Sequence, residues 1–115
     1  MNQGKSVEGY IGTESEWAQR VAANKSDWLI AFDNTDCLVE YWVPREPDTQ
    51  GPHDRDEVYI ITAGSADFDM NGQIRSVVAG DLIFVPASMP HRFIKTSPDL
   101  AMWVVFFGLP RKAES

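Results

Sequence analysis

Two histidines are all the chain has, and each stands in a segment that suits a binding site. The first segment is Gly51-Pro52-His53-Asp54-Arg55-Asp56-Glu57-Val58-Tyr59-Ile60-Ile61-Thr62-Ala63-Gly64. The second is Gly80-Asp81-Leu82-Ile83-Phe84-Val85-Pro86-Ala87-Ser88-Met89-Pro90-His91. Imidazole and carboxylate are metal-ligand types. Two imidazoles favour a borderline divalent ion, Zn, Mn, Fe or Ni, over Ca or Mg. Spacing alone leaves plainer readings open: Asp54 to Glu57 as a solvated charged turn, and His91 as a surface or capping residue.

His53 and Glu57 can meet at one ion in two ways. On a helix, positions i and i+4 share a face, and Pro52 with the following acidic residues suits a helix start. The continuation Val58-Tyr59-Ile60-Ile61-Thr62 suits a strand instead. A straight strand would hold the pair about 13 Å apart, whereas ligands of one ion each sit about 2 Å from it. Asp54-Arg55-Asp56 must therefore bend, with His53 before the strand and Glu57 at its start. Alternation then puts Glu57, Tyr59 and Ile61 on one side. In the second segment Pro86 and Pro90 bracket a tight turn that delivers His91 to a strand start, with Phe93 on its face. Both segments read as a polar ligand at a barrel mouth with apolar residues below it. Tyr59, Ile61 and Phe93 are the expected substrate-lining residues.

The elements that must position these residues are mostly strands. Residues 1–12 read as a loose arm. Thr13 to Asn24 reads as one short helix, with a Thr13/Glu16 capping box and with Trp17 and Val21 on one face. Eight short runs follow: 28–32, 37–43, 57–62, 65–70, 74–78, 82–85, 91–95 and 101–107. Asn71-Gly72 marks a hairpin, and the apolar pattern of Phe68, Met70 and Ile74 favours a three-residue loop. Ala101 to Phe107 is apolar on both faces, so it belongs at a sheet centre or under a dimer interface. Closely spaced short strands indicate a sandwich or small barrel. The division is 1–27 as arm and helix and 28–115 as one domain.

With 115 residues, the chain suits a single domain, and a homodimer would add burial. Acidic residues outnumber basic ones 17 to 10, which opposes nucleic acid and anionic membranes as partners. The one cysteine, Cys37, reads as a buried, inert strand thiol in a reducing compartment. No apolar run follows the polar start, and the expectation is a soluble cytoplasmic protein.

The two segments resemble the motifs of the cupin family. The family's first motif runs Gly, five residues, His-x-His, three or four residues, Glu, six residues, Gly. His53 matches the second His, and Glu57 and Gly64 follow at the required spacing. The second motif runs Gly, five residues, Pro-x-Gly, two residues, His, three residues, Asn. Gly80, Pro86 and His91 match it. The resemblance covers about residues 28 to 108. It implies an all-β double-stranded β-helix, or jelly roll, commonly dimeric, with one metal held by His53, Glu57 and His91. Three positions depart from the pattern. Gly51 stands where the first motif has its first His, Ser88 where the second has Gly, and Lys95 where it has Asn. Gln50 or a water is left to fill the direction vacated at Gly51.

The resemblance implies either of two functions. One is a metal-dependent enzyme acting on a small molecule, with Arg55 or Arg92 drawing an acidic substrate to the rim or standing as plain solvated charges. The other is a non-catalytic module that binds a sugar or phenolic compound without an essential metal. A metal-independent isomerase is weaker, because no third histidine remains as a general base.

Overall fold

The last strand of the chain organises the rest. In the computed structural model, which describes residues 8–111, Ala101–Phe107 forms β8 at the centre of a five-stranded sheet. The elements before it are α1 (Glu14–Ala22), β1 (Trp28–Asp33), β2 (Cys37–Trp42), β3 (Asp56–Ala63), β4 (Ser65–Met70), β5 (Gln73–Val78), β6 (Leu82–Val85) and β7 (His91–Ile94). The large sheet has the order β1-β2-β8-β3-β6 and the small one β5-β4-β7, with antiparallel pairing throughout. The two sheets form the jelly roll that the sequence implied.

β8 is apolar on both faces because both faces are covered. Met102 and Val104 point inward to a core shared with Tyr59, Ile61, Phe68 and Phe93. Ala101 and Trp103 point outward to a second cluster built on Trp17, Val21 and Tyr41. Helix α1 supplies that cover. Its Thr13 cap and Glu16 form the expected capping box, and Trp17 and Val21 are its buried residues. Trp103 sits edge-on to Trp17 at 6.0 Å and to Tyr41 at 4.8 Å, distances at which aromatic pairs attract. The cover stops part-way: Ile60, Leu82 and Phe84, on β3 and β6, stay exposed.

The β4–β5 hairpin corrects one expectation. Phe68 pairs with Arg75 and Met70 with Gln73, so the loop is two residues, Asn71-Gly72, not three. Both have positive φ, 52° and 93°, as a type I′ turn requires, and Gly72 N donates to Asp69 Oδ1. Turn chemistry outweighs the apolar pattern, and Ile74 ends up pointing outward, 57% exposed. Cys37 is also less enclosed than expected. It lies half-buried on β2, and burial still pushes its thiol up.

Gly64 turns β3 into β4 with φ 79°. A Cβ there would lie 2.5 Å from Ser97 Oγ and 2.7 Å from the Leu100 backbone. This is the last glycine of the first motif, and the fold needs it for close approach as well as for its φ.

Candidate metal centre

The bend demanded by the His53–Glu57 spacing is present. Asp54 and Arg55 form a bend, β3 starts at Asp56, and His53 lies before it. His53 Nε2 comes within 3.9 Å of Glu57 Oε1, far from the roughly 13 Å of a straight strand. His91, the first residue of β7, brings its Nε2 to 3.2 Å from the same oxygen. Donor atoms of all three residues lie within 4.8 Å of one another. The two ring centroids are 5.4 Å apart.

Two contacts tie the two segments together. Ser88 N donates to the His53 carbonyl at 2.6 Å. Ala87 N donates to Asp56 Oδ1. The Arg111 guanidinium beside Asp56, with the Ala87 amide, holds that carboxyl below its usual range. The turn carrying His91 is thus anchored to the bend carrying His53.

The rings are held differently. His91 Nδ1 lies 2.8 Å from the Met89 carbonyl, which only accepts, so Nδ1 carries a hydrogen. In the neutral ring Nε2 then offers its lone pair inward, where the Tyr59 hydroxyl stands at 3.1 Å. That second-sphere pattern orients metal-binding imidazoles. Burial opposes the charged ring of His91, but Glu57 and the Met89 carbonyl outweigh it and raise its pKa. His53 Nε2 lies 2.6 Å from Gln50 Oε1. Gln50 is oriented by its own amide nitrogen, which donates to Asp48 Oδ2 and to Tyr59 Oη. Its carbonyl therefore faces the centre beside Gly51.

Glu57 tests whether an ion fits. Its side chain is 1% exposed, and neither carboxylate oxygen has a hydrogen bond among the described residues. His91 Nε2 approaches it without hydrogen-bonding geometry, being engaged with Tyr59. A buried carboxylate without a hydrogen bond is costly, and a cation between Glu57 and the two imidazoles offsets that cost. Two neutral nitrogens and one carboxylate suit a borderline divalent ion. The residues present fit such an ion.

Residues 40–107, well over half of the chain, match the family model described as Cupin domain. The chain belongs to the cupin family. An uncharacterised protein of Streptomyces coelicolor is 39% identical to this cupin over 59 residues, 51% of this chain and 56% of that protein. This cupin thus aligns with only about half of that relative's length. Among solved structures, a conserved protein of unknown function from Streptococcus pyogenes matches with a TM-score of 0.66. It is 17% identical, over 95% of this chain and 96% of that one. A Cupin 2 conserved barrel domain protein from Salinispora arenicola matches with a TM-score of 0.65. It is 16% identical, over 90% and 91%. These likenesses speak to fold.

A cavity of about 420 Å³ opens beside the centre, and His53, Glu57 and Tyr59 line it. Ile61 and Phe93 do not. They share the face of their ligand residues as expected, but lie 1% and 2% exposed in the packed core. Alternation predicts the face of a strand, not the depth at which a cavity closes. Trp42, Val104 and Phe106 form the apolar lining instead. Neither Arg55 nor Arg92 lines the cavity. Arg55 donates to the Gly108 carbonyl, and Arg92 lies near Asp69 on the surface. Glu40 was missed by the sequence reading. Leu38, Glu40 and Trp42 alternate on one face of β2, and a carboxylate inside an otherwise apolar strand face was the signal.

Proposed function

We propose that this cupin holds one divalent transition metal, Zn, Mn, Fe or Ni, on His53, Glu57 and His91, and acts on a small molecule in the adjoining cavity. The buried Glu57 carboxylate, without a hydrogen bond among the described residues and placed where two imidazole nitrogens converge, carries this reading. Gln50 Oε1 is the natural fourth donor in the direction vacated at Gly51. The ion, when bound, supplies a Lewis acid for a ligand oxygen. Tyr59 offers a hydrogen-bond donor beside it. Burial, then the Glu57 charge, keeps its phenol protonated far above the ordinary range. With His91 Nε2 given over to the ion, the Tyr59 hydrogen is free to donate to the ligand.

Elemental analysis of the purified protein beside His53→Ala tests the centre. One ion per chain in the wild type, lost in the variant, is expected. Wild-type protein loaded with each metal and still without a stoichiometric ion would overturn the reading.

A second reading, a binding module for a sugar or phenolic compound without essential metal, is favoured by one contact. Gln50 satisfies His53 without any ion. Truncating His91 to Ala separates the two: activity is abolished under the first, and ligand binding survives under the second. The homodimer belongs to the same proposal, with exposed Ile60, Leu82 and Phe84 as the apolar face awaiting cover; sedimentation velocity would test it. So do residues 28–115 as the functional domain and a cytoplasmic location, which the free Cys37 thiol suits.

A further inference from the structure

The cavity beside the centre has a one-sided chemistry. Asp27, Glu40, Glu46, Asp48 and Glu57 line it, and among the described residues no lysine or arginine does. Most of these carboxylates already have work. Asp27 accepts from Trp42 Nε1 and from Arg45 N. Asp48 accepts from the Gln50 backbone and side-chain amides and from Phe93 N. Glu57 faces the two histidines, buried and without a hydrogen bond among the described residues. Glu46 stands exposed at the rim. Glu40 differs from all of these: it is partly buried on the inner face of β2, with no ion pair or hydrogen bond to its side chain among the described residues. Burial, then the Glu57 charge, pushes its carboxyl up to about 7. A carboxylate held in that setting gains from a cation brought by a ligand.

Aromatic side chains line the same space. Trp28 and Trp42 are directly paired across β1 and β2, so both rings project to the cavity side. The Trp42 indole is fixed by its N–H on Asp27. Ile30 pairs with Glu40 one rung deeper. Tryptophan side chains beside an uncommitted carboxylate, with no lysine or arginine among the described lining residues, suit an onium group. Acidic substrates are disfavoured by the same lining.

We infer that this cavity takes a small ligand carrying an ammonium-type cation, received by Glu40 with Trp28 and Trp42, while an oxygen of the same ligand points toward the His53–Glu57–His91 centre. The second half rests on the metal reading; the first half does not.

Choline and its neutral isostere, in which carbon replaces the ammonium nitrogen, are the probes. Binding is read by tryptophan fluorescence and calorimetry at pH 8, on zinc-loaded and on EDTA-treated protein. Choline should bind at least about tenfold more tightly than the isostere. E40Q should abolish that preference, with affinity for the isostere and zinc content unchanged, and Glu40→Asp should restore part of it. Urea unfolding confirms that E40Q is folded. No choline binding, equal binding of the two probes, or an unchanged preference in E40Q would overturn the inference. A protein that binds no zinc yet keeps the choline preference sinks the metal reading and leaves the Glu40 receptor standing.

Discussion

His53 and His91 converge on one carboxylate from opposite circumstances. The His53 side chain is 31% exposed and that of His91 is 1% exposed. His53 hangs on a bend before β3 and is held by another side chain, Gln50. His91 begins a strand and is held by a backbone carbonyl of its own turn. The buried half is fixed by packing and a backbone carbonyl; the open half is held by one side chain and faces the cavity. The missing first-motif histidine, at Gly51, also falls on the open half. The departure from the family pattern thus lies beside a partly exposed side chain held by Gln50, and not where packing sets the geometry.

The largest test pits the two histidines against each other. His91→Ala empties a core position and strips Tyr59 of its partner. It should cost about 2–4 kcal/mol of unfolding free energy in metal-free protein. His53→Ala, at a partly exposed bend, should cost at most about 0.5 kcal/mol. Both should weaken metal binding more than about 100-fold, beyond the usual cost of losing a second-sphere partner. Urea unfolding with EDTA and competitive metal titration check this. Equal stability losses would erase the distinction between the halves.

Glu40 sharpens the comparison from the cavity side. Its folded pKa, about 7, lies above the ordinary 4.5. The folded state therefore keeps this proton where the unfolded state has released it. The sign follows: stability is full below about pH 4.5, falls as pH rises toward 7, and is flat above. E40Q removes that loss. Discounted for partial exposure, it should be about 1–2 kcal/mol more stable than wild type at pH 8 and nearly equal to it at pH 4, in metal-free protein. A difference independent of pH would show that Glu40 is an ordinary solvated carboxylate and that the open half is less enclosed than drawn.

Gln50 comes next. If its carbonyl stands in for the missing histidine, Gln50→Ala should weaken metal binding about tenfold, with unfolding free energy changed by under about 1 kcal/mol. Competitive titration with a chromophoric chelator reads it. An unchanged affinity would mean that the open half contributes His53 alone.

The sequence made the strand pattern legible because turn residues punctuate every short apolar run, and because the convergence of His53 and Glu57 is a matter of chain geometry. Other features were hidden for physical reasons. The hairpin register depended on Asn71 and Gly72 both taking positive φ, a backbone effect stronger than the placement of Ile74. Ile61 and Phe93 were assigned the right face and the wrong depth, because a barrel narrows in a way that alternation does not encode. Glu40 drew no attention in the sequence, although it shares a strand face with Leu38 and Trp42; its pairing with Val104 of β8 places it on the inner face.

Two departures from the family pattern, Ser88 and Lys95, acquire a meaning that a motif comparison does not show. Both have left-handed backbone, φ 72° and 50°, where glycine or asparagine is best tolerated. Ser88 is the more telling. Its turn carries Met89, whose carbonyl holds His91, and its amide holds the His53 carbonyl. Ser88→Gly should relieve the strain and raise stability by about 0.5–1 kcal/mol. Because His91 is already in place, metal affinity should change by less than about twofold, within roughly 0.4 kcal/mol. A several-fold gain in affinity would mean that the turn strain reaches the imidazole. The buried half would then be no more fixed than the open one.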